Sequence, residues 1–224
     1  MKQLALPFAE ELHYAAEDFC PAPSNAAARE WLLRTERWNN GRLILWGEAG
    51  CGKTHLLHIW AKAHNAEILG SEALTALRRV TRPIALDDAD IAPDPAALLH
   101  LLNMAAEAGQ PVLMAARLPP ARMAYKLADL TSRLRAASTV EIRPPEDELL
   151  AQLLTKLAAQ HQLSLSIPVR NALLLHLPRA PAFYREAMAR LDRAGLELTS
   201  EGRGARITRA LALEIIAGLI KDEA

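Results

Sequence analysis

A glycine-rich octapeptide lies between an apolar run and a helical run of this chain. Residues 47–54 have the sequence GEAGCGKT and fit the Walker A pattern GxxxxGK[ST]. The preceding run Leu43–Trp46 predicts a buried strand, and the following run His55–Ala63 predicts a helix. Glycines let backbone N–H groups curve around an anion, and the N-terminus of a helix adds partial positive charge. The sequence therefore predicts a phosphate-binding loop at this junction.

The side chains of the loop indicate a nucleotide and a magnesium ion. Lys53 has the reach to contact the outer phosphates, and the hydroxyl of Thr54 can coordinate a Mg²⁺ ion that bridges them. The expected ligand is ADP or ATP, and the sequence leaves open which of the two is resident. The candidate cofactor-binding residues are Gly47, Gly50, Cys51, Gly52, Lys53, Thr54 and His55.

The composition of the chain disfavours several classes of protein. The 224 residues accommodate one domain of ordinary size and a smaller one. The 26 basic and 26 acidic residues give no net charge, which disfavours nucleic acid as the main partner. Cys20 and Cys51 lack metal-ligand spacing, so neither a disulfide framework nor a zinc site is expected. No membrane span or signal peptide is predicted, and a cytoplasmic location is expected.

Short apolar runs alternate with helical runs in the first part of the chain. This pattern predicts a parallel sheet flanked by helices. The predicted strands are 43–46, 66–69, 83–86, 111–115 and 138–142. The predicted helices are 26–38 with Asn25 as its cap, 55–63, one near 72–79, and one that begins at Asp94-Pro95 and ends at Gly109.

The pattern changes at Arg143-Pro144-Pro145, after which only helices are predicted. Their ranges are 146–160, 168–176, 181–194 and 208–220, with Thr208 as the cap of the last. The expected organisation is an irregular tail at 1–24, an α/β nucleotide-binding domain at 25–144 and an all-helical domain at 145–224.

Two further segments carry candidate catalytic residues. The strand Ile84–Asp87 ends in acids, of which Asp87 would hold Mg²⁺ through water and Asp88 would orient or deprotonate an attacking water. Many strands also end in Asp before a turn. The basic segment 131–135 (TSRLR) is either a solvated helix face or an arginine finger that acts on the nucleotide of a neighbouring subunit.

These segments, in this order, resemble the AAA+ ATPases and, within them, the group of the initiator DnaA. The likeness rests on Gly47–Leu57 (GEAGCGKTHLL), Leu86–Asp88 and Leu130–Leu134 (LTSRL). It implies a P-loop AAA+ sheet domain with a small C-terminal helical lid, and it assigns the finger, acting in trans, to Arg133. The initiator's DNA-binding helix-turn-helix domain is not expected here, because the sequence ends with the lid.

The N-terminal segment resembles the peptide QLxLPF, by which bacterial proteins bind the DNA polymerase sliding clamp (beta subunit). The matching residues are Gln3, Leu4, Leu6, Pro7 and Phe8. Two apolar side chains would fill a cleft, and the proline would limit the entropy lost on binding. The alternative is an apolar tail that packs on its own domain.

A clamp peptide joined to an initiator-like module resembles the alphaproteobacterial regulators that inactivate DnaA. This resemblance implies that the chain negatively regulates replication initiation, with the sliding clamp and DnaA as partners. The alternatives are a helicase-loader or transposition-helper ATPase that works as a homo-oligomer, and a clamp-tethered adaptor without finger function. The sequence does not decide between monomer and homodimer.

Two departures from the family predict weak or no intrinsic ATPase activity. The strand 112–116 ends in Ala115-Ala116 and then Arg117, where a small polar residue should orient the attacking water. The lid arginine expected near Ala182 is also missing. Arg179 and Arg185 are the open substitutes for it.

Overall fold

A computed structural model describes residues 14–74, 79–200 and 207–222, with only the backbone of 197–200. Five parallel strands form one sheet in the order β2-β3-β4-β1-β5. The strands are β1 Arg42–Trp46, β2 Glu67–Gly70, β3 Ile84–Asp87, β4 Val112–Ala116 and β5 Ser138–Glu141. The helices are α1 Pro23–Leu32, α2 Lys53–His64, α3 Pro95–Glu107, α4 Ala128–Arg135, α5 Asp147–Gln160, α6 Ile167–His176, α7 Pro181–Ser200 and α8 Arg209–Asp222.

The three central strands are buried on both faces, as the short apolar runs predicted. The edge strands β2 and β5 differ from that prediction, because one face of each is exposed, at Ile68 and at Thr139 for example. Along β1, Leu43 and Leu45 face the core beneath α1 and α2, whereas Ile44 faces the core beneath α3 and α4. All three side chains are fully buried. Helices on both faces of a parallel sheet give the α/β fold class expected from the sequence, which is thereby confirmed.

Helices α5 to α8 enclose a separate apolar core at the C-terminal end. Leu173, Tyr184 and Leu191 lie at its centre and are fully buried. Thr208 accepts a hydrogen bond at its side chain from the Leu211 amide at 3.2 Å, so its predicted role as the cap of α8 is confirmed. None of the described helices is long and apolar enough to cross a membrane.

The first helix differs from its prediction. It begins at Pro23 and ends at Leu32, and a 3₁₀ turn at Thr35–Arg37 follows. Proline favours the first helical position because its missing N–H needs no partner there. Asn25 therefore lies inside the helix, and its side-chain oxygen accepts a hydrogen bond from the Ala22 amide at 3.1 Å.

The helix predicted near 72–79 is not seen in the described part of that range. A 3₁₀ turn at Ser71–Ala73 follows β2, and 75–78 lie outside the described residues. The candidate clamp peptide at 3–8 also lies outside them.

The cap of α3 offers a test of this architecture. Asp94 is exposed and accepts hydrogen bonds at Oδ1 from the amides of Ala96 and Ala97, at 2.9 and 3.0 Å. Asp94→Ala should lower the free energy of unfolding by about 1 kcal/mol, measured by urea denaturation. Asp94→Ser keeps a side-chain acceptor and should lose less. Equal losses in both variants would contradict the capping role.

Candidate functional site

The phosphate loop lies at the carboxyl end of β1. Gly47, Gly50 and Gly52 have positive φ angles of 153°, 74° and 105°. A Cβ atom on Gly47 would lie 2.4 Å from the carbonyl oxygen of Ile142, which no real side chain tolerates. The loop therefore needs glycine both for its backbone conformation and for its contact with the segment after β5.

Lys53 is the buried cation of the loop. Its side chain is folded back, so that Nζ donates hydrogen bonds to the carbonyl oxygens of Gly47 and Glu48 at 2.7 and 2.8 Å. Lys53 is only 8% exposed, and no carboxylate pairs with it among the described residues. A buried ammonium with only neutral partners has unused electrostatic capacity, which an anion such as phosphate would satisfy.

Thr54 and Asp87 meet at the same place. Thr54 Oγ1 donates a hydrogen bond to Asp87 Oδ2 at 2.7 Å, which joins the first turn of α2 to the end of β3. A hydroxyl and a carboxylate this close fit Mg²⁺, which takes one or two protein oxygens and completes its shell with water and phosphate. No cluster of three or more His, Cys, Asp or Glu able to hold a metal occurs in the described ranges.

Asp88 follows directly and is held in an uncommon conformation. Its φ angle is 51°, and its amide donates to Asp87 Oδ1 at 3.0 Å. Burial raises the pKa of the Asp88 carboxyl, the negative charge of Asp87 adds to the shift, and Arg117 opposes it. A raised pKa makes a carboxylate a better proton acceptor, which is the role predicted for Asp88.

The end of β4 contributes backbone groups to this region. The Ala115 carbonyl accepts from the Ala89 amide at 2.8 Å, and the Arg117 amide donates to Asp90 Oδ2 at 3.0 Å. The side chains of Ala115 and Ala116 carry no polar atom. This end of the strand therefore holds the loop after β3 in place but presents no hydroxyl or amide side chain there to orient water.

A segment that the sequence placed in an irregular tail packs against the site. His55 is 6% exposed, and its Nε2 donates to the Ala15 carbonyl at 2.8 Å. The rings of Tyr14 and Phe19 meet the His55 ring edge-on, with centroids 5.5 and 5.2 Å away. Phe19 also covers Gly52, at 3.3 Å from the position that a Cβ would take. The sequence does not reveal this contact, because only two aromatic residues distinguish the segment from an irregular tail.

The same segment is attached to the C-terminal helical lid, which consists of α5 to α8. Lys156 on α5 forms an ion pair with Asp18 at 3.1 Å and also donates to the Glu17 carbonyl, and Gln160 donates to Asp18 at 3.0 Å. On the other side of the loop, a Cβ on Gly50 would lie 3.2 Å from the Cβ of Ala180, which just precedes α7. The phosphate loop thus lies in a cleft between the sheet and the lid.

The two candidate lid arginines have different surroundings in the structure. Arg179 is engaged with the start of α5, through an ion pair with Asp147 at 2.7 Å and a hydrogen bond to the Pro145 carbonyl at 3.1 Å. Arg185 lies beside the N-terminal segment. Burial raises the pKa of Tyr14, and the positive charge of Arg185 opposes that shift. Of the two arginines, Arg185 is therefore the one whose charge reaches Tyr14 and His55 beside the phosphate loop.

Arg133 lies at the opposite edge of the sheet. It is half-buried on α4 beside Arg42, whose pKa is lowered by burial and further by the charge of Arg133. Arg42 begins β1, whereas the phosphate loop follows the last residue of that strand. The four residue rises between the two ends of β1 span about 13 Å. Arg133 therefore lies away from the phosphate loop of its own chain.

Solved structures of other proteins share the fold of this chain. No protein-family model matches the chain. An uncharacterized protein of Haemophilus influenzae is 28% identical over 193 residues, which cover 74% of this chain and 81% of that protein. Domain III of the Thermotoga maritima replication initiation protein DnaA superimposes with a TM-score of 0.72 at 18% identity, covering 93% of this chain and 97% of that one. The chain has the fold of the DnaA AAA+ domain.

Other AAA+ structures superimpose less closely. DnaA from Aquifex aeolicus, solved with AMPPCP bound, gives a TM-score of 0.65 at 19% identity and covers 84% of this chain and 68% of that one. The RuvB Holliday junction branch migration motor of Thermotoga maritima gives 0.59 at 19% identity, with coverages of 88% and 67%. These likenesses extend over both the sheet and the helical lid.

The burial of His55 predicts that the stability of the fold depends on pH. Burial lowers the pKa of His55, so the folded chain binds this proton more weakly than the unfolded chain does. The stability that neutral His55 contributes is fully present above the unfolded pKa of about 6.5, and it is lost as the pH falls from there through the lower pKa of the folded state. His55→Gln keeps an N–H donor for Ala15 but does not titrate.

The variant should therefore lose less unfolding free energy than the wild type between about pH 7.5 and 5.5. The measurement is urea denaturation at a series of pH values without nucleotide. Some slope should remain, because burial also lowers the pKa of His58. Identical slopes in the two proteins would show that His55 is not responsible.

Proposed function

We propose that the chain binds ADP or ATP with Mg²⁺ in the cleft and negatively regulates DNA replication initiation by stimulating hydrolysis of the ATP bound to DnaA. This is the role of Hda, the regulatory inactivator of DnaA. The observation that carries the proposal is the position of Arg133 at the sheet edge opposite its own phosphate loop. A guanidinium so placed can serve the nucleotide of another molecule but not that of its own chain.

The binding of nucleotide is supported by the geometry of the loop. Lys53 would exchange its two carbonyl partners for phosphate oxygens, while loop amides and the N-terminus of α2 surround the anion. Thr54 and Asp87 would hold Mg²⁺, which would neutralise phosphate charge when bound. Arg185 would approach from the lid.

Weak hydrolysis in this chain itself follows from the end of β4. The water-orienting side chain is replaced by alanines, and the backbone groups there are already paired with the loop after β3. The nucleotide would then act mainly as a conformational ligand, with ADP as the resident form.

Attachment to the sliding clamp is the second part of the proposal. The sequence of Gln3–Phe8 supports it, and Tyr14 follows that peptide after a short connection. A tether of this kind raises the local concentration of the regulator near initiator on the same DNA, without any new contact between them. Stimulation of hydrolysis would therefore depend on clamps loaded on DNA.

Nucleotide binding is tested at Lys53. Lys53→Ala removes the charge that faces the phosphates and should weaken the binding of fluorescent ADP roughly 10- to 100-fold, as expected for hydrogen bonds to charged groups. Lys62→Ala is the matched control, since Lys62 lies exposed on the same helix. Equal affinities in the two variants would place the nucleotide elsewhere.

The regulatory role is tested by single-turnover hydrolysis of ATP bound in advance to DnaA, with this protein added in the presence and absence of loaded clamps. Arg133→Ala should abolish the stimulation, because arginine fingers contribute about 10³- to 10⁵-fold to hydrolysis. Arg135→Ala on the same helix is the matched control and should stimulate like the wild type.

Attachment to the sliding clamp is tested in the same assay with the variant Phe8→Ala. This variant should stimulate only at much higher protein concentration, with its affinity for ADP unchanged. Absence of any stimulation by the wild type would overturn the regulatory role and favour the helicase-loader alternative. Full activity of Arg133→Ala would leave a clamp-tethered adaptor.

A further inference from the structure

Tyr125, which lies outside the motifs described above, forms hydrogen bonds to the loop that carries the acids of the site. The hydroxyl of Tyr125 donates to the Ala89 carbonyl at 2.6 Å and accepts from the Ala92 amide at 2.9 Å. Tyr125 therefore bridges both ends of a short turn that begins just after Asp88. The rest of its side chain packs against the core beneath α3 and α4.

The same residue is bonded to the helix that carries Arg133. Thr131, in the first turns of α4, donates from Oγ1 towards the carbonyl oxygens of Tyr125 and Leu127, both at 3.1 Å. Arg133 lies two residues further along this helix. Tyr125 thus contacts the acidic loop through its side chain and α4 through its backbone.

The loop itself is tied to the phosphate site. Thr54 holds Asp87, Asp87 Oδ1 accepts from the Asp88 amide, and the Ala89 amide donates to the Ala115 carbonyl. A change at Thr54 or Asp87 on nucleotide binding therefore acts directly on the residues that Tyr125 holds. These hydrogen bonds, joined by the peptide bond from Asp88 to Ala89 and by Tyr125 itself, lead from Thr54 to α4.

We propose that Tyr125 is a positioning residue that couples the nucleotide site of this chain to helix α4, so that the bound nucleotide sets how Arg133 is presented. What Arg133 acts on rests on the proposed function; the coupling within the chain does not. A tyrosine hydroxyl suits this task because it donates and accepts at once. The turn cannot move independently of Tyr125 without leaving two backbone groups unpaired, which is costly in a half-buried place.

The decisive variant is Tyr125→Phe, which removes both hydrogen bonds and keeps the ring that packs on the core. Tyr184→Phe is the matched control. Tyr184 is fully buried in the lid, and its hydroxyl has no hydrogen-bond partner among the described residues. Thr131→Val, which keeps the side-chain shape but removes the second link, should behave like Tyr125→Phe.

Amide hydrogen exchange of the full chain, with and without ADP, measures the coupling directly. In the wild type and in Tyr184→Phe, ADP should slow exchange in 128–135 by at least about twofold. In Tyr125→Phe, ADP should still slow exchange in the phosphate loop but leave 128–135 unchanged. Persistence of the ADP effect on α4 in Tyr125→Phe, or its absence in the wild type, would overturn the proposal.

The stimulation assay gives a second readout. Stimulation by the wild type should differ between its ADP-bound and nucleotide-free forms, and Tyr125→Phe should reduce this difference to none while its ADP affinity stays unchanged. If the wild type fails to stimulate DnaA at all, the proposed function fails, and the exchange measurement still decides the coupling. If Tyr125→Phe stimulates with the full nucleotide dependence, the coupling is refuted and the proposed function stands.

Discussion

The hydrogen bond between Thr54 and Asp87 joins the two halves of the candidate site. It connects the first turn of α2 to the end of β3, although β1 and β3 are separated in the sheet by β4. The parallel arrangement makes this possible, because every strand ends at the same edge. The phosphate loop, the two acids and the backbone at the end of β4 therefore meet without any long loop to bring them together.

The opposite edge of the sheet supplies a second, chemically different surface. Arg42 starts β1 with a buried guanidinium that donates to the Leu102 carbonyl at 3.1 Å, and Arg133 lies close enough to influence its pKa. Two neighbouring cations repel one another, so negative charge placed beside them would relieve the repulsion. The fold thus places the phosphate loop and this pair of arginines at opposite edges of the sheet.

Most of the fold could be predicted from the sequence, because buried parallel strands and amphipathic helices have short-range signatures. The phosphate loop, Thr54 with Asp87, and the cap at Asp94 follow from such local patterns. The roles of Tyr125 and of Tyr14–Phe19 could not be predicted. They depend on contacts between residues far apart in the chain, such as His55 with Ala15, that no spacing reveals. Asn25 was misplaced because a proline two residues earlier starts the helix first.

The N-terminal segment Tyr14–Phe19 contacts both the sheet domain and the helical lid, which form the two sides of the cleft. The His55–Ala15 hydrogen bond fastens it to α2, and the Lys156–Asp18 ion pair fastens it to α5. Movement of helices α5 to α8 away from the sheet would therefore break one of these attachments. A ligand that leaves the cleft by this movement would then dissociate no faster than the attachment breaks, whatever the strength of its phosphate contacts.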